Sequence, residues 1–413
     1  MGRIRAFSLL EPSTGQALWL PAASPPGTLR PSTADFISVS SAFAVSLYGP
    51  QLTHLRCINV HFPPKELLAV LRSTPALIDL QLTDIFELGT LEDVFDQDLN
   101  EEIVSLPALQ CLALTSYSRA GLLSVAFLEH IRVPPSATTF LAYSYDDHCS
   151  PEELPDLDEL FRRIVDARSY NNTPFRACRI IESPQQSDSV LQGEQDDFGY
   201  PHHLLFALWP TAHGLEDLGD PDVLPDETLA PGKLSIMFKG PCSWSLPSLF
   251  HAALATPLLS HVSALMLHGA ALPLDTWQHF ASCANVAQLG LSPHGLAYSF
   301  VSALADPAHA PFPALETVAL QAIYWSRGLL ESDYDDAPFS ERCHDALAAR
   351  LAQGIPLRTV IITSTEELPE ARIEQMEADG LVETAVPVVY GAEDLDLAEE
   401  EDEEEGAYFF SLD

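Results

Sequence analysis

Histidine and cysteine are the residues of this chain whose chemistry suits metal binding or nucleophilic catalysis. The chain contains 14 histidines and 7 cysteines. His202 and His203 are adjacent beside a predicted strand, and adjacent strand residues face opposite sides, so the two rings are poorly placed to hold one ion. Cys343 and His344 lie on a predicted helix, where adjacent side chains also diverge. Neither pair predicts a metal site.

The common catalytic motifs do not occur in the sequence. It has no glycine-rich phosphate loop, no Gly-x-Ser-x-Gly elbow and no His-Glu-x-x-His helix. Its acidic residues are numerous but dispersed, which is typical of a solvated surface rather than of a paired acid and base. We therefore expect a protein that is not an enzyme and that needs no cofactor or metal. A hydrolase assembled from scattered His, Ser and Asp side chains is the weaker alternative.

The charge balance limits the kinds of partner. The chain has 20 basic and 59 acidic residues, which gives a net charge of -39. Binding to phosphates needs a basic face, so the charge argues against nucleic acid and against anionic membranes. A protein partner, and a basic one in particular, fits this charge better.

Cysteine usage and hydropathy indicate the compartment. The cysteines are spread singly, with no Cys-x-x-Cys pair, so the sequence predicts neither a zinc site nor a disulfide framework. Reduced thiols fit an intracellular protein, either cytoplasmic or nuclear. The most apolar long segment, Ala252 to Leu272, is interrupted by Pro257 and His261 and contains a strand pattern, so we expect no membrane span there.

A recurring apolar hexamer organises the chain. Leu-x-x-Leu-x-Leu or a close variant starts at residues 52, 77, 109, 262, 286, 315 and 357. Most of these hexamers follow a stretch with apolar residues at helical spacing, such as Pro64 to Arg72 before Leu77. One helix and one short strand cannot bury their own apolar faces, so such units need copies of themselves on either side.

This recurrence predicts an α/β fold in which a curved parallel sheet has helices on its convex side. We expect the repeats to occupy residues 1–390, with a strand-rich insertion at 170–240. Phe175 to Ile181, Leu204 to Trp209 and Leu234 to Phe238 favour a local antiparallel sheet in that insertion, and a disordered excursion is the alternative. Residues 391–413 are predicted to be an acidic disordered tail, because like charges repel one another.

The hexamer also predicts which strand residues are free to bind a partner. Its last two leucines point to one side of the strand, and the residues between them point to the other. The open face of a curved repeat sheet suits protein recognition. Ordinary solvent-facing strand residues are the alternative interpretation. The candidates are His54, Arg56, Asp79, Gln81, Thr83, Met266, His268, Gln288, Thr317, Gln321, Thr359 and Thr363.

Several stretches resemble the leucine-rich-repeat portion of fungal F-box proteins. They are LRSTPALIDLQLTDI, IVSLPALQCLALTS, IRVPPSATTFLAY, FPALETVALQAIYW and LAQGIPLRTVIIT. The resemblance covers most of residues 1–390 and implies an irregular leucine-rich-repeat solenoid. It further implies a substrate receptor whose repeats hold a target, while the F-box recruits the adaptor of a cullin ubiquitin ligase.

The chain departs from that family in the F-box itself. An F-box usually precedes the repeats and opens with Leu-Pro-x-Glu, whereas a strand pattern here begins at Ile4. The nearest match to that opening is Pro63 to Leu68, which is soon followed by the strand pattern at Leu77 and is predicted to be a repeat helix. Two functions stay open: a ligase substrate receptor, and a free-standing acidic repeat protein that binds a basic protein.

Overall fold

The protein is described here by a computed structural model. The structure describes residues 6–10, 33–37, 50–86, 103–117, 121–144, 157–168, 174–183, 203–211, 215, 233–239, 246–305, 311–325, 337–364 and 370–389. The chain divides into two compact units, Met1–Ala264 and Leu265–Asp413. The predicted acidic tail, residues 391–413, lies outside the described residues.

The first unit alternates strands with helices. Its described elements are β1 (Ala6–Leu10), β2 (Thr33–Ile37), β3 (His54–Ile58), α1 (Pro64–Arg72), β4 (Asp79–Thr83), β5 (Val104–Ser105), β6 (Cys111–Tyr117), α2 (Gly121–Glu129), β7 (Ile131–Arg132), β8 (Thr138–Ser144), α3 (Leu157–Arg168), β9 (Ala177–Ser183), β10 (His203–Trp209), β11 (Leu234–Lys239) and α4 (Leu246–Leu254). A 3-10 turn, Pro257–Leu259, follows α4.

The sheet of the first unit is mostly parallel. Its strands lie in the order β1-β2-β3-β4-β6-β8-β11-β10-β9. β10 is antiparallel to both β11 and β9, while β11 runs parallel to β8. The predicted antiparallel segment is therefore confirmed. The two-residue strands β5 and β7 form a separate parallel pair that the sequence did not predict.

The second unit repeats the alternation of helix and strand. Its elements are β12 (Ala264–His268, which begins at the unit boundary), α5 (Leu274–His279), a 3-10 turn (Phe280–Ser282), β13 (Gln288–Ser292), α6 (His294–Leu304), β14 (Thr317–Ile323), α7 (Phe339–Ala352), β15 (Thr359–Ser364), α8 (Glu370–Ala378) and β16 (Thr384–Val389). The strands lie in chain order, and β13 to β16 pair in parallel.

The structure contains most of the strands and helices that the sequence predicts. All seven hexamers end in strands, and those strands whose pairing is described run parallel to their hexamer neighbours. Helix α4 was not predicted, and only its last three residues fall in the apolar segment Ala252 to Leu272. No helix among the described residues has the length and apolar character that crossing a bilayer requires.

The local sequence explains where helix α1 begins and ends and which of its side chains are buried. Pro64 occupies its first turn, where a missing N–H costs nothing, and Arg72 lies in its last turn, near the negative end of the helix dipole. Leu67, Leu68 and Leu71 are fully buried at helical spacing. The stretch that resembles an F-box opening is thus a nine-residue helix followed by β4, as predicted.

The same hydrogen-bond pattern occurs at the start of successive strands in both units. In the first unit, the carbonyl of Thr53 accepts from the N–H groups of Ile78 and Asp79 at 2.7 and 3.0 Å. In the second unit, the carbonyl of Glu316 accepts from Arg358 and Thr359 at 2.8 and 3.1 Å. The carbonyls of Ile78, Ala287 and Arg358 each accept two such bonds as well. We call this recurring arrangement the double-acceptor carbonyl.

The leucine face of the first unit is covered by its helices. In register across the sheet, Leu82, Leu114 and Leu141 form one buried row. Phe206 continues the row on β10, and its ring meets the ring of Phe161 from α3 edge-on, with the centroids 5.1 Å apart. The hexamer leucines therefore point toward the helices, which is the geometry that the strand period predicts.

The core of the second unit combines packed aromatic rings with buried hydrogen bonds. Trp277 packs against Phe280 and Phe300, with ring centroids 4.9 and 5.2 Å apart. The buried hydroxyl of Ser299 accepts from the indole N–H of Trp277 and from the backbone N–H of Leu272, each at 3.2 Å. These bonds satisfy donors that would be costly to bury alone.

Candidate protein-binding surface

The face opposite the leucines carries polar side chains on β3 and β4. Along β3, exposed His54 and Arg56 alternate with buried Leu55 and Cys57. The alternation continues in β4, where the predicted outward residues are half-buried. Because side chains alternate along a strand, burial and register agree on which residues share this face. We call His54, Arg56, Asp79, Gln81, Thr83 and Cys111 the first polar surface.

Register brings these residues together in rows. His54 pairs with Asp79, which pairs with Cys111, so the three lie side by side on adjacent strands. Arg56 likewise pairs with Gln81. Directly opposite residues on paired strands have Cβ atoms about 5 Å apart, which is close enough for their side chains to interact.

The carboxylate of Asp79 lies at the centre of the first polar surface. Gln81 donates from Nε2 to Asp79 Oδ2 at 3.1 Å. The thiol of Cys111 donates to the same carboxylate. Burial first, and then the negative charge of Asp79 and this hydrogen bond, raise the pKa of Cys111 to about 11. The thiol is therefore neutral at physiological pH and is a weak nucleophile.

The exposed rim of this surface is basic. Thr53 Oγ1 and His54 Nδ1 share a hydrogen bond of 2.9 Å on the outside of the protein. Arg56 is exposed and lies in register with Gln81 on the neighbouring strand. An exposed arginine on the same face as an amide and a carboxylate suits hydrogen bonding to another protein, since Arg offers five donors and Asp accepts.

The second unit carries a second polar surface on β13, β14 and β15. Gln288, Thr317 and Thr359 pair with one another in register and are half-buried. Exposed Thr384 extends the row onto β16. Beside this row, Arg358 Nη1 lies 3.2 Å from Glu316 Oε2 in an exposed ion pair. Gln321 is also half-buried, just before a bulge in β14.

Three predicted contact residues are buried instead. Met266 is 1% exposed and His268 is 8% exposed, because β12 is buried at every position and does not alternate. Thr363 is 6% exposed, and its neighbour Ile362 is buried too. The expectation that these three side chains face solvent is therefore wrong: a strand buried on both faces no longer shows the period of two.

The sequence interpretation missed an apolar cluster on the same face as the first polar surface. Register places Ala142, Met237, Leu205 and Ile181 in the row of Thr83. With Phe140 they form one buried cluster. The sequence does indicate this cluster. Leu204–Leu208 and Leu234–Phe238 are almost wholly apolar runs without alternation, which is typical of strands buried on both faces. The first polar surface is thus bordered by an apolar region across β8, β11, β10 and β9.

Within the described stretches, no group of three or more His, Cys, Asp or Glu side chains is placed to hold a metal ion. His203 lies on β10, and Cys343 and His344 lie on α7. Burial raises the pKa of Cys343 to about 12. His202 is outside the described residues.

Comparison with models of known protein families finds no match for this chain. Comparison with curated protein sequences finds no significantly similar protein.

Proposed function

We propose that the chain is a non-catalytic protein-interaction scaffold, built as an irregular leucine-rich-repeat solenoid whose strand faces hold a partner. The observation that carries this proposal is the in-register polar row on β3 and β4, with His54 and Arg56 exposed at its rim. The recurring double-acceptor carbonyl supports the repeat interpretation, because it gives successive strands the same starting geometry.

The proposed partner is a protein. A surface that combines an exposed guanidinium, an imidazole, an amide and a carboxylate offers both donors and acceptors over neighbouring strands. Interfaces favour arginine, whose planar fork makes several hydrogen bonds at once. The resemblance to fungal F-box proteins extends the proposal to a substrate receptor for ubiquitination, with ligase recruitment depending on an F-box outside these repeats.

Affinity purification from cells tests both parts of the proposal. The tagged full chain is compared with Arg56→Glu, which reverses the charge at the rim. Arg162→Glu is the matched control, because Arg162 is an exposed arginine on α3 that pairs with Glu159 at 2.6 Å. Fully exposed pairs of this kind contribute little to stability, so the control keeps its fold.

We expect a set of proteins, quantified by mass spectrometry, that is retained by the wild type and by Arg162→Glu and is lost from Arg56→Glu. If all three baits retain the same proteins, the first polar surface is not the binding site. Absence of cullin and adaptor subunits from the wild-type sample removes the ligase role and leaves the scaffold role in place.

A free-standing acidic repeat protein that binds a basic partner is the second candidate, and the net charge of -39 favours it. Attraction of this kind weakens with ionic strength, because salt screens exposed charges beyond about 10 Å at 0.1 M. The affinity for a purified partner is measured against salt for the wild type and for a variant whose Asp and Glu residues in 393–405 are changed to Asn and Gln. Salt-independent binding contradicts this candidate.

A further inference from the structure

The direction of the backbone N–H groups in β16 follows from its pairing with β15. Thr384 donates its N–H to the carbonyl of Arg358 at 2.9 Å, so this N–H points toward β15. Register pairs Val386 with Ile361 and Val388 with Thr363. Successive residues of a strand alternate the side to which their N–H and C=O point. Val386 and Val388 therefore also pair with β15.

The intervening residues of β16 point the other way. Ala385, Pro387 and Val389 direct their backbone groups to the side of β16 away from β15. Among the described strands, β16 has β15 as its only neighbour. Proline has no N–H, so the middle position of this outer edge lacks its donor.

The equivalent positions in the preceding strands do have this donor. Pro387 is in register with Ile362 of β15, which is in register with Leu320 of β14. By the same alternation, the N–H of Ile362 donates to β16 and the N–H of Leu320 donates to β15. The last described strand therefore has a proline at the position that its predecessors use to bind the next strand.

We infer that Pro387 closes the outer edge of β16 to strand addition by a second copy of this chain or by a further repeat. Edge strands are templates for pairing with another chain, and proline on an edge is one means of preventing it. Pro387 fits here without loss to the sheet, because the N–H that it lacks is not one that pairs with β15.

The first experiment restores the backbone N–H donor that Pro387 lacks. In Pro387→Val, the outer edge regains an N–H and a β-branched residue that favours strands. Sedimentation velocity of the full chain is expected to show concentration-dependent self-association in this variant beyond that of the wild type. The double variant Ala385→Lys/Pro387→Val adds a charge to the same edge and is expected to return to wild-type behaviour.

Two proline variants test the geometry independently. Ala385→Pro removes an outward N–H and is expected to leave the thermal unfolding midpoint close to that of the wild type. Val386→Pro removes an N–H that pairs with β15 and is expected to lower the midpoint clearly. The inference is overturned if a folded Pro387→Val sediments like the wild type at every concentration. Equal destabilisation by the two proline variants also overturns it.

Discussion

Arg350 donates from Nη2 to the main-chain carbonyl of Leu315 at 3.2 Å, joining helix α7 to the start of the hexamer that leads into β14. Its guanidinium also donates to the carbonyls of Ile355, Pro311 and Phe312. The side chain is completely buried, and this burial lowers its pKa to about 10. A single side chain thus satisfies carbonyls from two turns of the second unit.

Replacing this arginine should be costly. We expect Arg350→Met to lower the free energy of unfolding by on the order of 3 kcal/mol, because four carbonyls lose a donor and three of these hydrogen bonds are buried. The measurement is urea unfolding followed by circular dichroism. Arg358→Met is the control: its ion pair with Glu316 is exposed, so its loss should cost less than about 1 kcal/mol. Equal losses for both variants would contradict the role given to Arg350.

Ser299 should be the most sensitive hydroxyl of helix α6. In Ser299→Ala, the indole N–H of Trp277 and the backbone N–H of Leu272 both lose their acceptor. We expect a loss of about 1–3 kcal/mol in the free energy of unfolding. Ser302→Ala is a control on the same helix, since that hydroxyl only donates to the carbonyl of Tyr298. A larger loss for Ser302→Ala would show that the Trp277 contact carries little stability.

The thiol of Cys343 should make stability depend on alkaline pH. Its pKa is about 12 in the folded protein, above the ordinary thiol value of about 9, because burial disfavours the thiolate. Between these values the unfolded chain loses the proton that the folded chain keeps, so the unfolded state is favoured as pH rises. Stability is therefore complete below pH 9 and declines toward pH 12.

Comparison with Cys343→Val isolates this effect. The urea midpoint is measured at several pH values from neutral to alkaline for both proteins, and the decline should be shallower in the variant. A decline of the same steepness in Cys343→Val would assign it to other groups. Cys283 is one such group, since burial raises its pKa to about 11.

Asp79 should control the reactivity of Cys111. In Asp79→Asn, the thiolate no longer faces a carboxylate and the thiol no longer donates to one, so the pKa of Cys111 should fall while burial continues to raise it. We expect faster alkylation of Cys111 by iodoacetamide at mildly alkaline pH, measured by peptide mass spectrometry. Asp84→Asn is the matched control just beyond β4. If both variants react at the wild-type rate, Asp79 does not govern this thiol.

The sequence predicted the strands better than the surfaces. The seven hexamers located β3, β4, β6, β12, β13, β14 and β15, because two leucines at a spacing of two can share one buried face. The alternation of side chains along a strand also placed Arg56 and Gln81 correctly on the face opposite the leucines. It failed at Met266 and in β8 to β11, where both faces are buried and the alternation disappears.

Other features were beyond local sequence patterns. The buried position of Arg350 depends on turns that lie up to 39 residues away in the chain. The contact between Cys111 and Asp79 joins neighbouring strands and becomes predictable only once their register is known. Register is visible in the hydrogen bonds between neighbouring strands, which the hexamer spacing alone does not specify.

Where a double-acceptor carbonyl is present, the alignment of two neighbouring strands does not depend on the length of the chain that joins them. Each such carbonyl holds the first residues of the next strand directly, so strands joined by segments of different length start with the same alignment. Hexamers that start as unevenly as residues 286, 315 and 357 can therefore pair in parallel. A gene encoding such a protein can gain or lose codons in those segments during evolution without disturbing the sheet.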